Sequence, residues 1–240
     1  MAPRRSNLEH DSGSRCAQHG QRNILAAAAA GIADFISANG GDAETVCHHA
    51  GVDPACLDDP LAAMDLGAFV ALYEQAAAST GCDNFGLIFG QRFRPESLGL
   101  IGGIALAAPT LGAAVASLAE LFPFHQQSTE TRFATEGGLL TLEYRILDGS
   151  IVERRQDAEL TMGMFANVFR TALGDGWAPE QVFFEHPRPA DGHVHRDLFH
   201  AEICFGQRTN ALVFRDRDLD RRMPQGDIGR LDRLRRELVA

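Results

Sequence analysis

The stretch Thr129-Glu-Thr-Arg-Phe-Ala-Thr-Glu-Gly-Gly-Leu-Leu-Thr-Leu-Glu-Tyr-Arg-Ile-Leu147 decides the fold class. Leu140, Leu142, Tyr144 and Ile146 alternate with Thr141, Glu143 and Arg145, the period-2 pattern of a strand with one apolar face. Thr129–Thr135 carries the same β-prone residue types, and Glu136-Gly137-Gly138 between the runs supplies a tight turn, so the segment predicts a β-hairpin.

On the N-terminal side the period is helical. Asn23 predicts a capped helix to about Ala38, and Asp42 a short helix ending at Gly51. Asp65 caps an amphipathic helix carrying Leu66, Phe69, Val70, Tyr73 and Ala77, closed by Gly81. Asn84–Phe93 predicts another, and Pro109-Thr110 opens a helix with Leu111, Val115, Leu118 and Leu121 on one side. On the C-terminal side a long helix spans about Glu153–Leu173, with Leu160, Met164, Val168 and Ala172 as its stripe. Gln181–Glu185 predicts a strand, Gly192–His200 a helix, and Ile203–Phe205 with Ala211–Phe214 a second hairpin. Charged helices near 216–222 and 227–239 follow. The predicted fold is α+β: a helical N-terminal half, then a ββαβαββ antiparallel sheet with helices on one side. Residues 1–22, nearly devoid of apolar side chains, predict a flexible arm. Residues 23–240 predict one domain, with a helical part 23–123, a sheet-plus-helix part 124–222 and a terminal helix 226–240.

Composition narrows the function. The 240 residues are 45% hydrophobic and 22% charged, which excludes disorder over the whole length. A net charge of −10, from 32 acidic and 22 basic residues, argues against a stand-alone nucleic-acid binder. The apolar run Ile24–Ile36 is too short to cross a membrane and carries Asp34, while Leu98–Ala119 is broken by Pro109 and its glycines. The polar lead-in before Ala26 argues against a cleaved secretory signal. Five cysteines with wide spacings predict free thiols in a cytoplasmic protein.

No stretch carries a catalytic signature. No G-x-S-x-G elbow occurs, and Gly99-Leu-Ile-Gly102-Gly103 lacks the dinucleotide pattern, so close helix packing explains it better. His186, His193, His195, His200 and Cys204 are of metal-ligand type. The predicted helix points His193 and His195 apart, however, and histidines at loops and helix ends are the plainer account. No catalytic residue, metal or cofactor is assigned. The segment Phe122-Pro-Phe124-His125-Gln-Gln-Ser128, with Tyr144, Glu159, Trp177 and Phe183-Phe184, mixes apolar walls with polar tips, the material of a small-molecule pocket. Residue by residue, plain core packing is the competing account.

An ordered set of segments then resembles a known family. These are Ala43-Glu-Thr-Val-Cys-His-His-Ala-Gly-Val-Asp-Pro54, Leu57-Asp-Asp-Pro60 and Phe85-Gly-Leu-Ile-Phe-Gly-Gln-Arg-Phe93. Leu98-Gly-Leu-Ile-Gly-Gly-Ile-Ala-Leu-Ala-Ala-Pro-Thr-Leu-Gly-Ala-Ala-Val115 matches best, and Arg155-Gln-Asp-Ala-Glu-Leu160, Phe184-Glu-His-Pro-Arg-Pro189 and Leu198–Phe214 continue it. Over about residues 24–235 the chain resembles the N-terminal, arabinose-binding-type effector domain of AraC/XylS-type transcriptional regulators. The resemblance implies a sensor that binds a small-molecule effector, forms a homodimer, and touches DNA only through C-terminal helix-turn-helix units, and it places His186 and His195 at positions where the family often has His without a metal. The chain stops at Ala240, where the linker to those units would begin, so they are expected to be absent here. The expected effector site comprises Phe124, His125, Gln127, Tyr144, Glu159 and Trp177, with Glu159 anchoring a cationic amine or amino acid. The rivals are a small enzyme with an unrecognised active site and a ligand-free dimerisation module.

Overall fold

The computed structural model describes residues 22–136 and 139–238. The expected arm, apart from Arg22, and the Gly137-Gly138 turn lie outside the described residues.

The elements run β1 (Asn23–Leu25), α1 (Ile32–Ala38), α2 (Ala43–Ala50), β2 (Ala63–Asp65), α3 (Leu66–Thr80), α4 (Phe85–Arg92), α5 (Gly99–Ala107) and α6 (Leu111–His125). Then come β3 (Thr129–Glu136), β4 (Leu139–Ile146), α7 (Arg155–Leu173), β5 (Gln181–Phe183), α8 (His193–Phe199), β6 (Glu202–Cys204), β7 (Asn210–Phe214) and α9 (Ile228–Leu238). The α+β class and the ββαβαββ order of the second half are as expected. Asp42, Asp65 and Thr110 each accept a backbone N–H as N-caps of α2, α3 and α6.

Three expectations are corrected. The single helix over 23–38 is instead a strand, a 3-10 turn over Ala26–Ala29, and α1. Gly31, at φ 81°, stops the alanine run from propagating, and β1 pairs antiparallel with β2. The second predicted hairpin does not form. β7 sits in the middle of the five-stranded sheet, ordered β3-β4-β7-β5-β6, and β6 joins β5 at the edge as the one parallel pair among the described strands. Asn210–Phe214 is buried at every position, the mark of a central strand, and that favours insertion over pairing with its short neighbour. Finally, Cys47, Cys82 and Cys204 are free, but Cys56 is disulfide-bonded. Pairing depends on proximity in space, which spacing along the chain does not disclose.

α7 is the axis of the molecule. It packs on α4 and α3 and also against β4 and β7, so its burial runs round the helix instead of along one stripe. The contact with α4 is made at backbone distance. A Cβ on Gly90 would stand 2.5 Å from the Leu160 carbonyl oxygen, and one on Gly163 would stand 2.7 Å from the Gly90 carbonyl carbon. Gly102 and Gly103 have the packing role expected of them, facing the Pro95 carbonyl and the Leu234 side chain.

Candidate functional site

The two halves meet at the start of α7. Gln156 stitches them together there. Its backbone N–H donates to Glu74 Oε1 on α3 (2.9 Å), its side-chain oxygen accepts from the Gly86 N–H (2.7 Å), and its Nε2 donates to the Asp83 carbonyl (2.8 Å). Helix N-terminal N–H groups lack intrahelical partners, so an acceptor such as Glu74 fixes both the helix end and the neighbour that supplies it. Beside this seam lies a cleft of about 690 Å³, bordered by Glu74, Asp83, Glu153, Arg154, Arg155 and the 185–190 segment after β5. Asn210 closes one side, its Oδ1 accepting from the Glu185 N–H and its Nδ2 donating to the Tyr144 carbonyl.

Charges of both signs converge on this cleft. Arg155 pairs with Asp83 (2.6 Å), and Arg154 with Glu185 (3.4 Å). Burial pushes the Glu185 carboxyl up against the opposing pull of Arg154 and Arg145. Burial also pushes Glu74 up, the Gln156 hydrogen bond working the other way. Beneath the wall, one turn along α7, Glu159 is fully buried. His195 Nε2 donates to its Oε1 at 2.8 Å, while His186 Nε2 and Arg155 Nη1 each stand 3.5 Å from the same oxygen. The His186 Nδ1–H donates to the Pro187 carbonyl (2.9 Å), and burial holds that imidazole below its usual pKa despite the nearby carboxylate. Glu159 Oε2, His186 Nε2 and His195 Nδ1 have no hydrogen-bond partner.

The six expected site residues do not gather in one place, although His125 and Tyr144 both pack on Phe122. Glu159 touches Arg155 and His186, which border the cleft, and the Tyr144 carbonyl touches Asn210 at its side. Phe124 is 54% exposed. Gln127 is exposed, and its Oε1 accepts from the Asn23 N–H. α6 continues two residues past Pro123, and this carries His125 into the core against Phe122. Tyr144 is buried, donating to Asp157 Oδ2 and accepting from Gln126 Nε2, both at 2.7 Å. Trp177 stacks on Phe169 at 4.4 Å. The Glu159–His186–His195 group was missed as a unit because its members lie on α7, the segment after β5, and α8. His193, by contrast, is exposed while His195 is buried, as a two-residue gap on a helix dictates.

Comparison with known proteins adds a family. The profile of the N-terminal arabinose-binding domain of AraC transcription regulators matches residues 40–223. The chain belongs to that family. As an AraC-type effector-binding domain it also has a structural neighbour, the transcriptional regulator CdpR from Pseudomonas aeruginosa. The two share a TM-score of 0.58 at 14% identity over 80% of this chain, a likeness of fold. The chain spans 59% of that protein's length. Comparison with curated proteins finds no match. Among the described residues no helix is long and apolar enough to cross a membrane.

Proposed function

We propose that this AraC-type domain senses a small zwitterionic or cationic metabolite in the cleft between the α3–α4 side and the sheet. The observation that supports this is the convergence of Glu74, Asp83, Glu153 and Glu185 with Arg154, Arg155 and Arg188 around one 690 Å³ space. Interleaved carboxylates and guanidiniums match the ammonium and carboxylate of an amino acid, or an amine, better than the neutral hydroxyls of a sugar such as the family's arabinose. The cleft is bordered by elements of both halves, so a guest that prefers one packing of α7 against the 185–190 segment shifts the population of that packing. The same proposal has the domain act without catalysis, as a homodimer in the cytoplasm, and control DNA-binding units of the regulator through that shift. Glu159, expected as the direct anchor, would instead act on the guest through Arg155 and His186.

A thermal-shift screen of the purified chain against amino acids, amines and sugars tests the proposal. A specific ligand at about one hundred times its Kd adds about 2.7 kcal/mol of stability, or about 5–10 °C in Tm for a domain of this size. The Glu185→Gln variant should bind the hit about tenfold more weakly with its own Tm unchanged, by loss of one charge-assisted contact. Flat melting curves, or a sugar hit insensitive to Glu185→Gln, would contradict it.

A further inference from the structure

We propose that Glu159, His186 and His195 form a binding site for one divalent transition-metal ion of the zinc type. One ligand atom from each side chain lies within 4.8 Å of the other two, and the three residues come from three different elements. Ligand atoms about 2 Å from a common ion stand roughly 3–3.5 Å apart. The 2.8 and 3.5 Å separations from Glu159 Oε1 to His195 Nε2 and His186 Nε2 are close to that, and the ion would take the place of the proton that His195 Nε2 now donates to Glu159. His186 supplies the deciding detail. Its Nδ1–H is committed to the Pro187 carbonyl, the outer-shell arrangement that fixes a metal-ligating tautomer. Its Nε2 lone pair therefore faces the Glu159 carboxylate across a buried gap, with no hydrogen-bond partner. The unpartnered His186 Nε2 and the Glu159 carboxylate 3.5 Å from it both offer lone pairs, which a single cation bound between them would satisfy.

Glu159 Oε2, also unpartnered, gives the carboxylate a second oxygen for the ion. The His186 side borders the cleft, so the remaining coordination position would open toward it. Arg155 competes for the same Glu159 oxygen from 3.5 Å, but it is already held by the Asp83 carboxylate at 2.6 Å. The proposal stands apart from the effector proposal, since a structural ion at this place needs no metabolite.

Zinc titration of the tag-free chain against a chromogenic chelator tests it, with far-UV circular dichroism as the check of folding. The expected result is one ion per chain, weakened at least about tenfold in both His186→Ala and Glu159→Gln. Glu159→Gln keeps an acceptor for His195, so it leaves the packing intact. Arg155→Ala removes a competing cation and should tighten binding a few-fold, an effect that a purely structural role for the cluster would not produce. Cobalt substituted for zinc should give a visible absorption that His186→Ala abolishes. No binding at all would overturn the proposal. So would unchanged affinity and stoichiometry in both ligand variants, which would place the ion at exposed histidines such as the His48-His49 pair.

Discussion

Replacing Gly90 with alanine lowers the Tm of the domain by about 6–12 °C, the equivalent of about 3 kcal/mol. The added methyl meets the Leu160 carbonyl oxygen at 2.5 Å and its Cα at 3.0 Å. Both are backbone atoms of α7, so no rotamer change relieves the overlap. Gly163 approaches α4 from the other helix just as closely, and Gly86 faces the Gln156 carbonyl. Relief therefore requires α4 and α7 to separate, and the Gln156 hydrogen bonds to Gly86 and Asp83 stretch with them. Since those bonds form the seam beside the cleft, effector affinity should fall along with stability. Gly149→Ala is the control: its Cβ would meet nothing within 4 Å, and Tm should change by less than about 1–2 °C. Equal melting temperatures for Gly90→Ala and Gly149→Ala would contradict the close packing of α4 on α7.

The second large effect is a pH dependence set by Asp157. Burial raises this carboxyl from 3.8 to about 7, against the lowering effect of the Tyr144 hydrogen bond. A raised acid holds its proton in the folded state while the unfolded chain has already released it. Its contribution to stability is thus complete below about pH 4, declines as pH climbs toward 7, and is level above. At about 1.4 kcal/mol per unit, the wild type should lose about 4 kcal/mol relative to Asp157→Asn between pH 4 and pH 7. His125 works in the opposite direction. Burial lowers it from 6.5 to about 4, so its contribution is complete above 6.5 and lost as pH falls toward 4. Between pH 4 and 6.5 the two slopes nearly cancel in the wild type, and Asp157→Asn should expose the acid-side loss from His125. Urea denaturation of both proteins at half-unit pH steps measures the difference. Parallel stability profiles would show that Asp157 is not protonated in the folded protein.

The sequence disclosed those features that depend on local pattern. The β3–β4 hairpin was legible because Leu140, Leu142, Tyr144 and Ile146 alternate and remain buried. The capped helices α2, α3 and α6 were legible for a similar reason, since each begins at a side chain that accepts a hydrogen bond within its own first turn. The features that failed depend on partners distant in the chain. β6 and β7 read as a hairpin because only five residues separate them, yet β7 finds its partners in β4 and β5. Residues 23–25 become a strand because β2 lies beside them, a tertiary contact that outweighs helix propensity. Gly86 and Gly90, one helical turn apart, went unread as a contact, because α7 as the other helix has no local signature. The same limit applied to the site. Glu159 stood out singly, as a carboxylate within an apolar helix, whereas its pairing with His186 and His195 arises only when α7, α8 and the segment after β5 converge.

Amide hydrogen exchange with and without the ligand identified by thermal shift tests most directly whether the cleft beside α7 is the sensing site. Slowed exchange confined to residues 152–158 and 185–190, and about tenfold less of it in Glu185→Gln at the same ligand concentration, is the predicted result. Protection concentrated instead around Phe124–Gln127 or the Phe169–Trp177 stack, with 152–158 and 185–190 unaffected, would contradict it.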